Sequence, residues 1–241
     1  PLRLRDVLEE GMSEPRSVRW VLRNLRAALR AQRASTIGPD LSHRRTMVAQ
    51  LLKTADVRRA VHREMKTRGL ARRAALNDAR QYAVEIAANY SQAFVRFMSA
   101  ALGWLWNRLY DGVDFEHAEM LNEIGDGAEI IYVPCHRSHM DYLLLSYVIY
   151  RKGFAVPHVA AGINLNLPVI GRFLRKGGAF FLRRTFKGDA LYATVFGKYL
   201  GFMMARGHSL EYFIEGGRSR TGRLLSPRTG MLSMTLRAYL R

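Results

Sequence analysis

The stretch IIYVPCHRSHMDYLLLSYVIY, residues 130–150, predicts a strand that passes through a short turn into a helix. One apolar run ends at Cys135, a mostly polar segment follows, and a second apolar run begins at Tyr142. His136 would lie at the end of the strand and Asp141 on the first helical turn, where its carboxylate can face the imidazole. A histidine held by a carboxylate can serve as a general base, so this junction is our first candidate for catalytic groups.

A purely structural interpretation of the same junction stays open. Ser138 precedes Asp141 by three residues, which is typical of a helix cap, and Asp141 would then only complement the helix dipole. Cys135 is a poor nucleophile for His136 because adjacent strand residues point to opposite faces, and we expect it to be a small buried residue. The nucleophile is therefore expected to be a hydroxyl of the substrate, or water.

The pattern around this junction predicts an α/β fold. After Asp111, short apolar runs alternate with helical ones, which favours a sheet with helices on its faces. We predict a mixed sheet flanked by helices over residues 111–241, with strands at 129–135, 158–161, 178–182 and 210–214 and helices at 141–151 and about 189–205. Residues 1–110 are predicted to form a basic, all-helical region, with helices at 16–33, about 42–67 and roughly 70–108.

A second polar cluster ends the predicted strand Gly178–Leu182. Arg183 and Arg184 follow it directly. Arginine binds phosphate through two parallel hydrogen bonds, but neighbouring side chains on a strand face opposite ways, so at most one of the two can enter a shared pocket. A strand that simply ends in solvated charge is the competing interpretation.

A third cluster, FIEGGRSRTG at residues 213–222, is the most specific stretch of the chain. A buried strand leads into Glu215 and Gly216, and the glycine pair could form an anion-binding turn of backbone amides. Arg218 and Arg220 add positive charge, and Glu215 could accept hydrogen bonds from hydroxyl groups or orient an arginine. An ordinary loop needs none of these features.

Composition limits the classes of function. The 241 residues include 38 basic and 20 acidic side chains, a net charge of +18, which favours nucleic acid, anionic lipid or phosphorylated ligands as partners. The single cysteine excludes an internal disulfide and a cysteine-rich metal site, and we expect neither a metal nor a cofactor. The chain begins at Pro1 and stops within a helical run at Arg241, so we expect it to be part of a longer protein.

The three clusters together resemble the motifs of the glycerolipid acyltransferase family, in its bacterial membrane-associated branch. They match in order: HRSHMD at 136–141, GAFFLRR at 178–184 and FIEGGRSRTG at 213–222, with AAGINLNLP at 160–168 also fitting. The family's fourth motif, a short proline-containing strand, would follow Arg241. The resemblance covers residues 131–241 throughout and is looser over residues 1–100.

This resemblance implies an enzyme that moves a fatty acyl group from acyl-carrier protein or acyl-coenzyme A to the sn-1 hydroxyl of glycerol 3-phosphate. The product would be lysophosphatidic acid, in phospholipid biosynthesis. By motif match, His136 is the base and Asp141 its partner, while the acceptor is held by Arg184, Arg183, Glu215, Gly216, Arg218 and Arg220. Lysophosphatidate and dihydroxyacetone phosphate are alternative acceptors.

The resemblance also implies a location and partners. We expect peripheral or monotopic attachment to an anionic membrane, on the cytoplasmic face of the bacterial inner membrane. A basic nucleic-acid-binding protein is the alternative that the net charge alone would allow. Acids and glycines clustered at strand ends are not needed for binding a phosphate backbone, so we expect no nucleic-acid partner.

Overall fold

A parallel four-stranded sheet forms the centre of the computed structural model, which describes residues 44–240 except 112, 114, 118–119, 125–128, 139 and 187. The helix predicted over 16–33 lies outside the described residues. The elements are, in chain order, α1 (Arg44–Lys53), α2 (Ala55–Arg68), α3 (Arg72–Ile86), α4 (Gln92–Leu109), α5 (Met120–Glu123), β1 (Ile131–Tyr132), α6 (Asp141–Arg151), β2 (His158–Gly162), a 3₁₀ turn (Ile163–Leu165), α7 (Ile170–Lys176), β3 (Phe180–Leu182), α8 (Ala190–Met204), β4 (Leu210–Glu211) and α9 (Gly230–Tyr239).

The strand order is β1–β4–β2–β3, and the last strand in sequence therefore lies between the first two. Leu210 of β4 pairs with Ile131 of β1 on one side and with His158 of β2 on the other. Ala160 of β2 pairs with Phe180 of β3. These pairings confirm the α/β class with flanking helices. They correct the expectation of a mixed sheet, because each pairing among the described strands is parallel. The strands are parallel because a helical segment follows each strand and returns the chain to the same edge of the sheet before the next one begins.

The strands are shorter than predicted, whereas the helices on the sheet follow the predictions closely. β1 covers only Ile131–Tyr132 of the expected 129–135, in part because Pro134 cannot donate to a strand ladder. Helix α6 has the predicted bounds, Asp141–Arg151. Helix α8 begins after Asp189, whose side chain accepts a hydrogen bond from the Tyr192 N–H at 2.8 Å and so caps the first turn.

The two long helices expected before residue 110 are each divided. Thr54 separates α1 from α2, and its hydroxyl donates to the Leu51 carbonyl at 2.7 Å. Gly69 ends α2 with φ +63°, a conformation that glycine adopts without a steric cost. A non-helical segment at residues 87–91 separates α3 from α4.

Buried Arg175 fastens that segment to the sheet. Its guanidinium donates to the carbonyls of Ala87 at 2.5 Å and Glu85 at 2.7 Å, and it lies 4.3 Å from the ring centre of Phe181. Burial, the largest influence, lowers the pKa of Arg175 to about 10. The two carbonyls that end α3 therefore have a charged donor, which a buried helix end requires.

One hydrophobic core crosses the predicted boundary at residue 110. Helix α8 is its centre and contributes Tyr192, Phe196, Tyr199 and Met203, all fully buried. Residues of α1, α2 and α3 pack in the same cluster, as does Leu210 of β4. Helices α1, α2 and α3 thus form part of the support of the sheet. A division into domains at residue 110 stays a prediction from composition. Among the described helices, none combines the length and apolar character needed to cross a bilayer.

Candidate active site

The predicted dyad forms at the carboxyl end of β1. His136 Nδ1 lies 3.1 Å from Asp141 Oδ2, and both side chains are partly buried, at 15% and 25% exposure. In the tautomer with the hydrogen on Nδ1, this nitrogen donates to the carboxylate and Nε2 carries the lone pair. This is the arrangement that a general base requires.

Asp141 is held as an anion by the turn that precedes it. Its Oδ2 also accepts hydrogen bonds from the backbone N–H groups of Arg137 at 2.7 Å and Ser138 at 2.8 Å. Burial is the largest single influence and would raise the pKa of Asp141, but the hydrogen bonds from Ser138, Arg137 and His136 together hold that pKa below its usual range. The capping interpretation and the catalytic one are therefore both satisfied, because one carboxylate closes the turn and orients the ring.

The third motif lies directly against the dyad. The ring of Phe213 stacks on His136 with centroids 4.1 Å apart and planes inclined by 27°. The Ser219 N–H donates to the His136 carbonyl at 2.9 Å. These contacts arise because β4 is the neighbour of β1, so the chain that leaves β4 passes the turn that follows β1. The predicted convergence of the first and third motifs is therefore observed.

The chain after β4 forms a closed loop, residues 213–228, which we call the acceptor loop. Buried Glu215 accepts a hydrogen bond from the Leu225 N–H at 3.2 Å, and the Arg228 N–H donates to the Ile214 carbonyl at 2.7 Å. Gly216 has φ +61°, and a Cβ atom there would lie 2.7 Å from Arg228 Cδ. Glycine is thus required by both conformation and space.

The arginines predicted to bind the acceptor are distributed over the edge of the sheet formed by the carboxyl ends of its strands. Arg218 and Arg220 are exposed on the acceptor loop, and Arg184 is exposed after β3. β3 is separated from β4 by β2, so Arg184 starts about 10 Å to the side of the acceptor loop, at two strand spacings. The structure places Arg184 on the same edge as the dyad, but not in contact with it.

Arg183 contacts groups of the protein itself. Its Nε and Nη2 lie 2.8 and 2.9 Å from the two carboxylate oxygens of Glu85, and its Nη1 lies 3.4 Å from Asp189. The guanidinium also lies 4.7 Å from the ring centre of Tyr82 and 4.5 Å from that of Tyr192. Arg183 therefore links α3 to the start of α8 in this structure, and its assignment as a substrate ligand stays an untested prediction.

Three neighbours of the dyad were not singled out from the sequence. Phe213 and Ser219 contact His136, as described above. Glu211 of β4 is fully buried and interacts electrostatically with Asp141. An acidic residue inside an otherwise apolar strand was the available signal for Glu211. Cys135, expected to be buried, is exposed. No group of three His, Cys, Asp or Glu side chains within the described residues could hold a metal ion.

Comparisons with known proteins identify the family of the chain. A family model described as Acyltransferase matches residues 112–240, which is more than half of the chain. The chain belongs to the acyltransferase family. It is 52% identical over its whole length to a protein of Pseudomonas aeruginosa strain UCBPP-PA14 named glycerol-3-phosphate acyltransferase. Proteins of the same name from Ectopseudomonas mendocina and Pseudomonas putida are each 50% identical over the whole chain.

The similarity covers only part of each named relative. The chain spans 29% of the length of each of these relatives. The family match begins at residue 112, just after α4, and includes the dyad, Arg184 and the acceptor loop. The helices before residue 110 are nevertheless included in the alignment with the named relatives, which covers all 241 residues.

Proposed function

We propose that the protein containing this chain acylates glycerol 3-phosphate, and that the chain carries the groups that activate and bind this acceptor. The observation that carries the proposal is the contact between the two motifs: His136, held by Asp141, stacks on Phe213 at the start of the acceptor loop. A base and a set of phosphate-binding arginines on one edge of a sheet suit an acceptor that has both a hydroxyl and a phosphate.

The reaction follows from this placement. Nε2 of His136 takes the proton of the sn-1 hydroxyl, and the oxygen attacks the carbonyl carbon of an acyl thioester. The tetrahedral intermediate then breaks its carbon–sulfur bond, and the thiolate takes the proton from the imidazolium. The products are 1-acylglycerol 3-phosphate and the free thiol. Asp141 stabilises the imidazolium in between, which is the function of the carboxylate in serine hydrolases.

The acceptor would be bound by Arg184, Arg218 and Arg220. The Gly216 N–H, predicted to assist, already donates to the Phe213 carbonyl at 3.0 Å, so we assign Gly216 to the turn of the acceptor loop. Glu215 is committed to the backbone of Leu225, so we assign it to holding the shape of the acceptor loop. Acyl-carrier protein, an acidic protein, and acyl-coenzyme A, which carries phosphates, both suit the net charge of +18 as donors.

The test is acyl transfer by the full-length protein from an acyl thioester to glycerol 3-phosphate, with His136→Ala and Arg184→Ala. His136→Ala should lower kcat by about 10²–10⁴-fold with little change in KM for the acceptor. Arg184→Ala should mainly raise that KM, by about tenfold or more, since one charge-assisted contact contributes roughly 1.5–3 kcal/mol. Near-normal turnover by His136→Ala would refute the assignment of the base.

Dihydroxyacetone phosphate and lysophosphatidate serve as competing acceptors in the same assay. Preference for either one over glycerol 3-phosphate would leave the acyl-transfer chemistry intact and replace the acceptor. Arg137→Ala is the matched control, because Arg137 is exposed and holds Asp141 only through its backbone N–H, which alanine retains.

We further propose peripheral attachment to an anionic membrane, at the cytoplasmic face of the bacterial inner membrane, through an apolar ridge on α4 and α7. The ridge consists of Phe97, Trp104, Val169, Ile170 and Phe173, which are 49–71% exposed. Phe94, inside α4, contacts Phe173 at 5.7 Å between ring centres, so the two helices form one surface. Exposed apolar side chains in such a group are typical of interaction sites.

The charge around the ridge favours lipid as its partner. Residues 87–110 and 152–176 contain no acidic side chain. They contribute the exposed basic side chains Arg96, Arg108, Arg172 and Lys176. Aromatic side chains within a basic surface fit the interface of an anionic bilayer. α7 also follows the carboxyl end of β2, the edge that holds the dyad, which would bring a lipidic product to the bilayer.

Vesicle co-sedimentation tests this attachment. The full-length protein should bind vesicles that contain phosphatidylglycerol more strongly than phosphatidylcholine vesicles, and less strongly at high salt. The double variant Trp104→Ser/Phe173→Ser should reduce binding to both, whereas Leu76→Ser, an exposed apolar residue on α3, should not. Equal binding by the double variant and the wild type would exclude the ridge.

A further inference from the structure

Glu211 is a carboxyl group inside the sheet that the proposed mechanism does not use. It lies on β4, opposite Tyr132 of β1 and Val159 of β2. The residue is fully buried, and neither carboxyl oxygen has a hydrogen-bond partner among the described residues. An ionised carboxylate without donors is costly in such a place, so the neutral acid is the stable form.

The groups around Glu211 act in the same direction. Burial is the first cause and the negative charge of Asp141 the second, and together they raise the pKa of Glu211 to about 8. Tyr132, on the neighbouring strand, has its pKa raised to about 12 by burial and by the charge of Glu211. Val159 on the other side has no ionisable group. Among the described residues, Asp141 from α6 and Tyr132 from β1 are thus the ionisable groups that interact electrostatically with Glu211.

The carboxyl groups of Asp141 and Glu211, which interact electrostatically, have opposite environments. Asp141 accepts hydrogen bonds from the backbone of Arg137 and Ser138 and from the imidazole. Glu211 has no donor within the described residues. A pair of acids whose surroundings separate their protonation states in this way is the pattern by which active sites assign different tasks to similar groups.

We propose that Glu211 is a positioning residue that works as an uncharged carboxylic acid and so leaves the negative charge at the dyad to Asp141. The inference rests on the proposed function, since it concerns the base of that reaction. If Glu211 lost its proton, two carboxylates would repel each other in a region of low dielectric constant. Asp141 would relieve the repulsion by taking the Nδ1 proton of the imidazolium, which lies 3.1 Å away. The ring would then be neutral, with its remaining hydrogen on Nε2, and would protonate the departing thiolate poorly.

The first test is the pH dependence of acyl transfer by the full-length protein. Wild-type kcat should decline above about pH 8, as Glu211 ionises. Glu211→Gln, which is uncharged and of equal size, should retain kcat at neutral pH within about threefold and lose the alkaline decline. Glu211→Leu, also uncharged, should lose the decline as well and serves as the second variant if the glutamine protein does not fold.

The matched control is Glu116→Gln, which removes an exposed carboxyl group and should keep the wild-type decline. A decline that persists in a folded Glu211 variant would overturn the proposal. So would a loss of more than about tenfold in kcat at neutral pH by folded Glu211→Gln, because the charge-free role requires that an uncharged side chain suffice.

A second readout separates this inference from the proposed function. Infrared spectra of the wild type should contain the carbonyl stretch of a buried, protonated carboxylic acid at neutral pH, and the band should be absent from Glu211→Gln. This measurement requires no turnover. A wild-type protein that does not acylate glycerol 3-phosphate would refute the proposed function, whereas an ionised Glu211 at neutral pH would refute the inference.

Discussion

Exchanging Arg183 and Arg184 for methionine, one at a time, should separate stability from acceptor binding. Arg183→Met removes two charge-assisted hydrogen bonds to Glu85 and the contacts with Tyr82 and Tyr192. Such hydrogen bonds contribute roughly 1.5–3 kcal/mol each when buried, and cation–π contacts about 0.5–1 kcal/mol. The Arg183 side chain is 35% exposed, so solvent reduces these values, and we expect a net loss of about 2 kcal/mol.

Thermal unfolding of the full-length protein and acceptor kinetics provide the two measurements. A loss of that size corresponds to a decrease in Tm of about 4–8 °C for a domain of this length. Arg183→Met should leave the KM for glycerol 3-phosphate within about threefold of wild type, because its guanidinium is occupied by protein groups. Arg184→Met should show the reverse: an unchanged Tm and a KM raised by about tenfold or more.

A double-mutant cycle with Glu85→Gln identifies the partner. The coupling free energy between Arg183 and Glu85 should be about 1 kcal/mol, and removing either side chain first should weaken the effect of removing the other. The reasoning is refuted if Arg183→Met raises the KM while the Tm stays unchanged. It is also refuted if the two residues show no coupling.

Three further predictions concern the dyad, the acceptor loop and two buried histidines, His158 at the start of β2 and His208 just before β4. Asp141→Asn should lower kcat by about 10²–10⁴-fold with a small change in acceptor KM, since the amide cannot stabilise an imidazolium; an unchanged kcat would contradict the dyad. Gly216→Ala should cost about 1–3 kcal/mol in thermal unfolding and raise acceptor KM, because alanine is strained at φ +61° and meets Arg228. Burial, the largest cause, lowers the pKa of His158 to about 3 and of His208 to about 4, so both are neutral when folded and the unfolded chain binds protons first. These histidines therefore leave the free energy of unfolding unchanged above about pH 6.5 and lower it as the pH falls towards 4. His208→Phe should reduce the slope of the unfolding free energy against pH in that range by up to about 1.4 kcal/mol per pH unit. An unaltered slope would contradict this expectation.

Local patterns were sufficient for the part of the site that is local in sequence. His136 and Asp141 are five residues apart and lie in one turn, so strand and helix patterns alone predicted their contact. The bounds of α6 followed from the same signals. The contact of the acceptor loop with His136 required knowing that motif-bearing strand ends share one edge of the sheet, which the α/β class predicts.

Non-local partners explain what could not be predicted. Arg183 and Arg184 look equivalent in sequence, and what distinguishes them is Glu85, 98 positions earlier on α3. The break between α3 and α4 likewise depends on Arg175, which reaches back to the carbonyls at the end of α3. Strand order depends on how the helices pack, so the position of β4 between β1 and β2 was not visible in the apolar runs.

Because β4 separates β1 from β2, the sheet cannot be assembled in the order in which the ribosome delivers it. β1 has no strand partner among the described elements until Leu210 and Glu211 have been made, 79 residues after Ile131 and Tyr132. Closure over such a distance is entropically demanding and slow. The nascent protein would therefore hold an exposed strand edge, open to mispairing or chaperone capture, until one late insertion completes the sheet and brings imidazole and loop together.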